Sequence, residues 1–187
     1  MKIPAHTPRS RRPAACLLAL LAAAALVTGC GPSSTFKATL AKAKAGDPQS
    51  QMEVGQMYLE GRDVKQDGAE GLSWIKQAAL KGFPPAERTY GMILRVGPTG
   101  TGNVEQGRQW LEKAAHHGDV RAQMELAGIL GLFTPPFEYV EAMKWALIAE
   151  NHGATNAAVV KKMLEANMSA TDVARARAKA AEFVVEK

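Results

Sequence analysis

The sequence predicts an all-α protein, an α-solenoid built from stacked antiparallel helix pairs. A nine-residue phrase recurs as WIKQAALKG at 74–82, WLEKAAHHG at 110–118 and WALIAENHG at 145–153. All three tryptophans of the protein occupy this one repeat position, at steps of 36 and 35 residues. A period of that size marks supersecondary units that bury their apolar faces only by stacking. Small and apolar residues recur at i, i+3, i+4 and i+7 along the chain, with no strand-like alternation, so the units are helical.

The N-terminus is set aside first. Lys2, Arg9, Arg11 and Arg12 form a basic start, and an uncharged apolar run follows from Ala14 to Val27. That run is shorter than the roughly 20 residues a spanning helix needs. It ends in Val27-Thr28-Gly29-Cys30, which resembles a bacterial lipobox. Residues 1–29 therefore read as a lipoprotein signal peptide, Cys30 as the lipidated new N-terminus, and residues 30–35 as a short tether. Lipid anchoring through Cys30 places the protein in the cell envelope. Gly31, where an Asp would resemble an inner-membrane retention signal, favours the outer membrane with the fold facing the periplasm.

Cleavage removes four cations, leaving 19 Lys and Arg against 18 Asp and Glu. Such a balance gives no electrostatic reason to expect a nucleic-acid partner. Acylation of Cys30 also consumes the last thiol, so no disulfide framework is available. Residues 36–187 must then be held by one apolar core.

A first helix is expected over Phe36–Ala45, capped by Ser34 or Thr35 and ended by Gly46. Asp47-Pro48 starts the next, with Asp as cap and Pro at the first position. Units then run at about 46–81, 82–117 and 118–152, with a degenerate fourth at 153–187. Each opens on a glycine, passes through helix A and a loop, and closes with a helix B that carries the Trp phrase. Counted from that glycine, the fourth residue is Ser50, Ala86, Ala122 and Ala157; the eighth is Val54, Tyr90 and Leu126. The ninth, Gly55, Gly91 and Ala127, leaves room for close backbone approach. Helix B repeats Gly71, Gly107 and Ala142 three residues before the tryptophan, and Ala78, Ala114 and Ala149 after it. Asp67 with Glu70 and Asn103 with Gln106 read as capping boxes. In the third unit Glu138 replaces the cap, and Thr134-Pro135 offers an earlier start. A last helix begins at Ser169 and presents Val173, Ala176, Ala180 and Phe183-Val184 on one side. Trp110 is expected to be buried.

These positions closely resemble the Sel-one-like repeat (SLR) family, relatives of the tetratricopeptide repeats. Unit one carries the pattern at Gly46-Asp47, Gln51, Gly55, Tyr58, Gly61, Val64, Asp67, Trp74, Ala78-Ala79 and Gly82. Unit three carries it at Gly118-Asp119, Ala122-Gln123, Leu126, Trp145, Ala149 and Gly153. Asp63 stands where the family's loop has its second glycine. The resemblance implies a right-handed superhelix and a scaffold that binds other proteins. Nothing in the chain resembles a nucleophile with a base, so no catalytic activity and no cofactor is expected. Cysteine-rich relatives linked to β-lactam binding carry a disulfide in each repeat, and this chain has none. A cell-wall-directed protein that binds or processes peptidoglycan or β-lactams is the alternative reading.

Candidate chemistry is sparse. His116, His117 and His152 invite a metal site, but adjacent residues on a helix point about 100° apart. His117, His152 and Lys81 share a repeat position in the last turn of helix B, where a cation suits the helix dipole. The glycine-rich stretch 97–102 follows a helix and lacks the Gly-Lys-Ser/Thr ending of a phosphate loop. Lys65 sits where a calcium loop built on Asp63 and Asp67 needs a ligand. No metal and no small-molecule substrate is expected.

The partner-binding candidates lie on helix A, opposite its core face. They are Met52 and Gln56, then Arg88, Met92 and Arg95, then Met124. Methionine and arginine are common at adaptable protein-binding surfaces. The same methionines equally suit packing against the neighbouring repeat. The loop 133–139, with Phe133 and Phe137, suits a second contact patch and equally suits folding back onto the degenerate fourth unit. The partner expected is an unidentified envelope protein.

Overall fold

The computed structural model describes residues 31–97, 102–133 and 135–186. Cys30 and the stretch 1–29 read as a signal peptide lie outside these residues, as does most of the glycine-rich stretch after Val96. Nine α-helices are found among the described residues: α1 Ser34–Lys44, α2 Pro48–Glu60, α3 Gly68–Leu80, α4 Pro84–Val96, α5 Val104–His116, α6 Val120–Gly128, α7 Tyr139–Asn151, α8 Ala157–Glu165 and α9 Ala170–Ala181. A π-helical turn, Ile129–Phe133, extends α6. The all-helical paired-repeat fold is as the sequence predicts: α2/α3, α4/α5 and α6/α7 are three helix A/helix B pairs.

Short polar side chains set where the helices begin. Asp47 accepts from the Ser50 N–H at 2.8 Å, Asn103 from Gln106 at 2.9 Å and Asp119 from Ala122 at 2.8 Å. Each satisfies an amide that the first turn leaves without a partner. The first helix starts earlier than expected, because Ser33, rather than Ser34 or Thr35, accepts from Phe36. At Asp67 only half of the capping box forms. Its carboxylate accepts from Ala69 and Glu70, but its own N–H donates to the Tyr58 carbonyl, and the Glu70 carboxylate accepts from Trp74 Nε1 instead. The earlier start for α7 is overturned. That helix begins at Tyr139, behind Glu138, which makes no capping bond. Pro136 disfavours the helical conformation at Pro135, so the chain stays irregular until both prolines are passed.

The glycines of the repeat fix how each pair crosses. A Cβ on Gly55 would meet the Gly71 carbonyl at 2.8 Å, and one on Gly91 the Gly107 carbonyl at 2.8 Å. Helices A and B thus touch backbone to backbone, and any side chain at these points would overpack the crossing. In unit three, Ala127 and Ala142 hold the same positions, both fully buried. Gly55 faces Ile75 while Gly71 faces Leu59, so the pair runs antiparallel. The ends of α2, α4 and α6 and the starts of α3, α5 and α7, which the A–B loops join, consequently lie on one rim, and the B–A turns at 45–47, 81–83 and 117–119 lie on the other.

The core is mostly small side chains. Ala78, Ala114, Ala122, Ala146 and Ala149 are fully buried around Ile75, Leu111, Leu126 and Met143. The tryptophans are less uniform than their repeat position suggests. Trp145 is buried, whereas Trp74 and Trp110 are only half-buried, at odds with the expectation for Trp110. Trp110 stands edge-on to Tyr90 with Lys113 over its ring, and α9 covers no counterpart of it. Trp145 gains its cover from Phe183 and His116.

The fourth unit breaks the pairing. α9 packs on α7 rather than forming a hairpin with α8. Beyond Ala181 the chain is extended, and the Glu186 N–H donates to the His116 carbonyl at 2.9 Å. Side chains then alternate. Phe183 packs inward against the core, and Val184 is 77% exposed, contrary to its expected place beside Phe183.

Candidate functional site

The candidate residues of helix A fall into separate grooves. Met52 and Gln56, both half-buried on α2, share an open groove of about 560 Å³ with Glu53, Arg62 and Phe83. Met124, half-buried on α6, shares one of about 500 Å³ with Arg88, Arg121 and Asn156. Met92 lies elsewhere, in an apolar groove of about 710 Å³ with Leu59, Leu72, Ile93 and Val96. Arg95 is half-buried, and its Nε is enclosed without a hydrogen-bond partner.

The arginines are drawn into packing. The Arg88 side chain is 19% exposed, and its Nε lies 3.4 Å from Asp119 Oδ1. The geometry makes this an ionic contact without an aligned Nε–H bond. Asp119 is the cap of α6, so Arg88 ties the second unit to the start of the third. Of the methionines, Met52 packs beside the core of units one and two, and Met92 beside that of unit three.

A second constellation escaped the sequence reading. The fifth position of helix A is Gln51, Glu87 and Gln123, and all three are buried although polar. Gln51 Nε2 donates to the Ala43 carbonyl at 3.1 Å, and Gln123 Nε2 to Ala115 at 3.0 Å, tying each helix A to the last turn of the helix before it. The side chains at the end of helix B close the ladder from the other side. His117 Nδ1 lies 2.7 Å from Glu87 Oε2, and His152 Nδ1 lies 3.1 Å from Gln123 Oε1. In unit one, Lys81 instead donates to the Gly46 carbonyl, and Gln51 Oε1 stays unpaired. The 36-residue recurrence of Gln51, Glu87 and Gln123 was the available signal. A buried amide or carboxyl at one repeat position must bond a neighbour in every unit.

The histidines serve these contacts separately. His116 faces Glu186 and Trp145, and His117 faces Glu87. No cluster of three or more His, Cys, Asp or Glu side chains suited to a metal occurs among the described residues. Asp63 adopts φ +64°, the left-handed conformation that explains why the family's pattern has glycine there. Its carbonyl accepts from the Ser33 N–H.

Three consecutive helix pairs joined by buried polar side chains and crossing at small residues define an α-solenoid of the SLR type. The Sel1 repeat model matches residues 48–83, 84–119 and 120–153, and the chain belongs to that family. Among solved structures, a Sel1 repeat protein from Oxalobacter formigenes superposes with a TM-score of 0.67 at 24% identity, over 81% of this chain and 64% of its own. A protective antigen of uropathogenic Escherichia coli with an SLR fold gives 0.69 at 22% identity, over 79% of this chain and 32% of its own. Both likenesses concern the fold. No curated protein is significantly similar to this sequence.

Proposed function

We propose that this protein is a lipid-anchored scaffold of the bacterial envelope that holds another protein against the exposed face of α2, α4 and α6. The observation that carries this reading is the pair of open grooves on that face, one at Met52 and Gln56 and one at Met124 and Arg88. Each combines a half-buried methionine with polar groups at its edge, a surface that adapts to a partner without a fixed pocket. The anchor rests on the lipobox ending at Cys30. No described helix is long and apolar enough to cross a membrane.

The test is cross-linking in cells followed by mass spectrometry. A stoichiometric envelope partner is expected, and Met52→Glu with Met124→Glu should cut its recovery at least fivefold while the melting temperature stays within a few degrees. Arg88 is unsuited to this test, since its loss also frees Asp119. Recovery of internal cross-links alone would remove the scaffold reading.

A further inference from the structure

We propose that the rim carrying the A–B loops rests on the membrane, with Val96, Val104, Phe133 and Phe137 entering the apolar boundary of the bilayer. The inference rests on the lipid anchor at Cys30 and adds an orientation to it. The Ser33 N–H donates to the Asp63 carbonyl at 3.1 Å, which pins the start of the fold to the first A–B loop. Three residue steps separate Ser33 from Cys30, a reach of about 10 Å at full extension. The antiparallel pairing then puts the helix ends that the A–B loops join on the rim from which the tether leaves.

That rim is furnished for the contact. Val96 and Val104, at the facing ends of α4 and α5, are 56% and 50% exposed, and Phe133, after α6, is 72% exposed. Phe137 stacks on Tyr139 just before α7 and remains open to solvent. The apolar groove of Leu59, Leu72, Ile93 and Val96 opens between the end of α2, the start of α3 and the end of α4. Among the described residues of the opposite rim, only Leu80, at the end of α3, and the C-terminal valines are comparably exposed. Val159 and Met163 belong to α8, whose face α9 leaves uncovered. Apolar and aromatic side chains of this kind settle at the headgroup boundary of a bilayer. Arg62 and Lys65 are offset by Asp63 and Asp67 in the first loop. The contact is therefore apolar and independent of lipid charge.

The experiment uses the mature chain reconstituted in phosphatidylcholine vesicles. Because acylation occupies Cys30, a substituted cysteine is the only free thiol. An environment-sensitive dye is attached to Val104→Cys, Phe137→Cys and Leu80→Cys, three exposed positions. Labels at 104 and 137 should shift to the blue and be quenched at least twofold by quencher-bearing lipid, and the label at 80 should do neither. The intact mass of the same preparation reports the lipid. A lipid-bearing chain whose rim labels read as wet as the label at 80 overturns the rim alone. A mass lacking the lipid overturns the anchor and the rim with it.

Discussion

His117 Nδ1 lies 2.7 Å from Glu87 Oε2, and the carboxylate it meets is 2% exposed. The pair joins α4 to the end of α5 at the point where unit three uses an amide. Unit three shows the neutral version, with Gln123 between the Ala115 carbonyl and His152. A buried carboxylate is costly unless it is paired, and the cost of breaking such a pair falls mainly on the charge left behind.

Removing the histidine is thus worse than removing the charge. His117→Ala strands Glu87 and should cost about 2–4 kcal/mol. Glu87→Gln copies unit three and should stay within about 1 kcal/mol of the parent, because the donor from His117 keeps an acceptor. Urea midpoints at neutral pH read both. Equal losses for the two variants would mean that the contact contributes shape rather than charge compensation.

The tryptophans offer a graded comparison. Trp145 is 2% exposed and packed by Phe183, so Trp145→Ala should cost about 3–5 kcal/mol. Trp110 is half-buried, and Trp110→Ala should cost about 2–3 kcal/mol, the loss scaled to the smaller area removed from water. Thermal melts of the two variants measured side by side check the order. A larger loss at Trp110 would contradict the packing of α9.

These differences show what the sequence could and could not carry. Repeat positions such as Gly55, Gly91 and Ala127 were legible because their identity answers a local demand, room for a backbone crossing. Caps such as Asp47 and Asn103 were legible for the same reason. The burial of Trp145 against Trp110 was not, since it depends on α9 leaving its expected partner for α7. The candidate stripe was legible as a face of helix A, but its division into grooves was not. Arg88 illustrates the limit: its charge suggested a solvent-facing contact, and Asp119, one repeat on, drew it into the packing.

The junction of α7 with α9 supplies a pH dependence. Glu141 is half-buried on α7 and accepts from Lys144 at 2.8 Å and from Lys179 of α9. Burial pushes its carboxyl upward, but the hydrogen bonds from the two lysines together outweigh that and hold it below the usual value of 4.5. A carboxyl lowered in the fold stabilises it fully above its unfolded value, and the stabilisation is lost as pH falls through the folded value. The loss should therefore lie in the acid limb, below about pH 4.5. Glu141→Gln should be less stable than the parent at pH 7 and should lose less of its stability on acidification to pH 3. Partial exposure screens the pair, so the difference at pH 7 should be about 1 kcal/mol or less. Denaturant titrations of both proteins at pH 7 and pH 3 test this. Parallel losses would show that Lys179 does not hold α9 through Glu141, leaving Ala176 and Phe183 to seat that helix by packing alone.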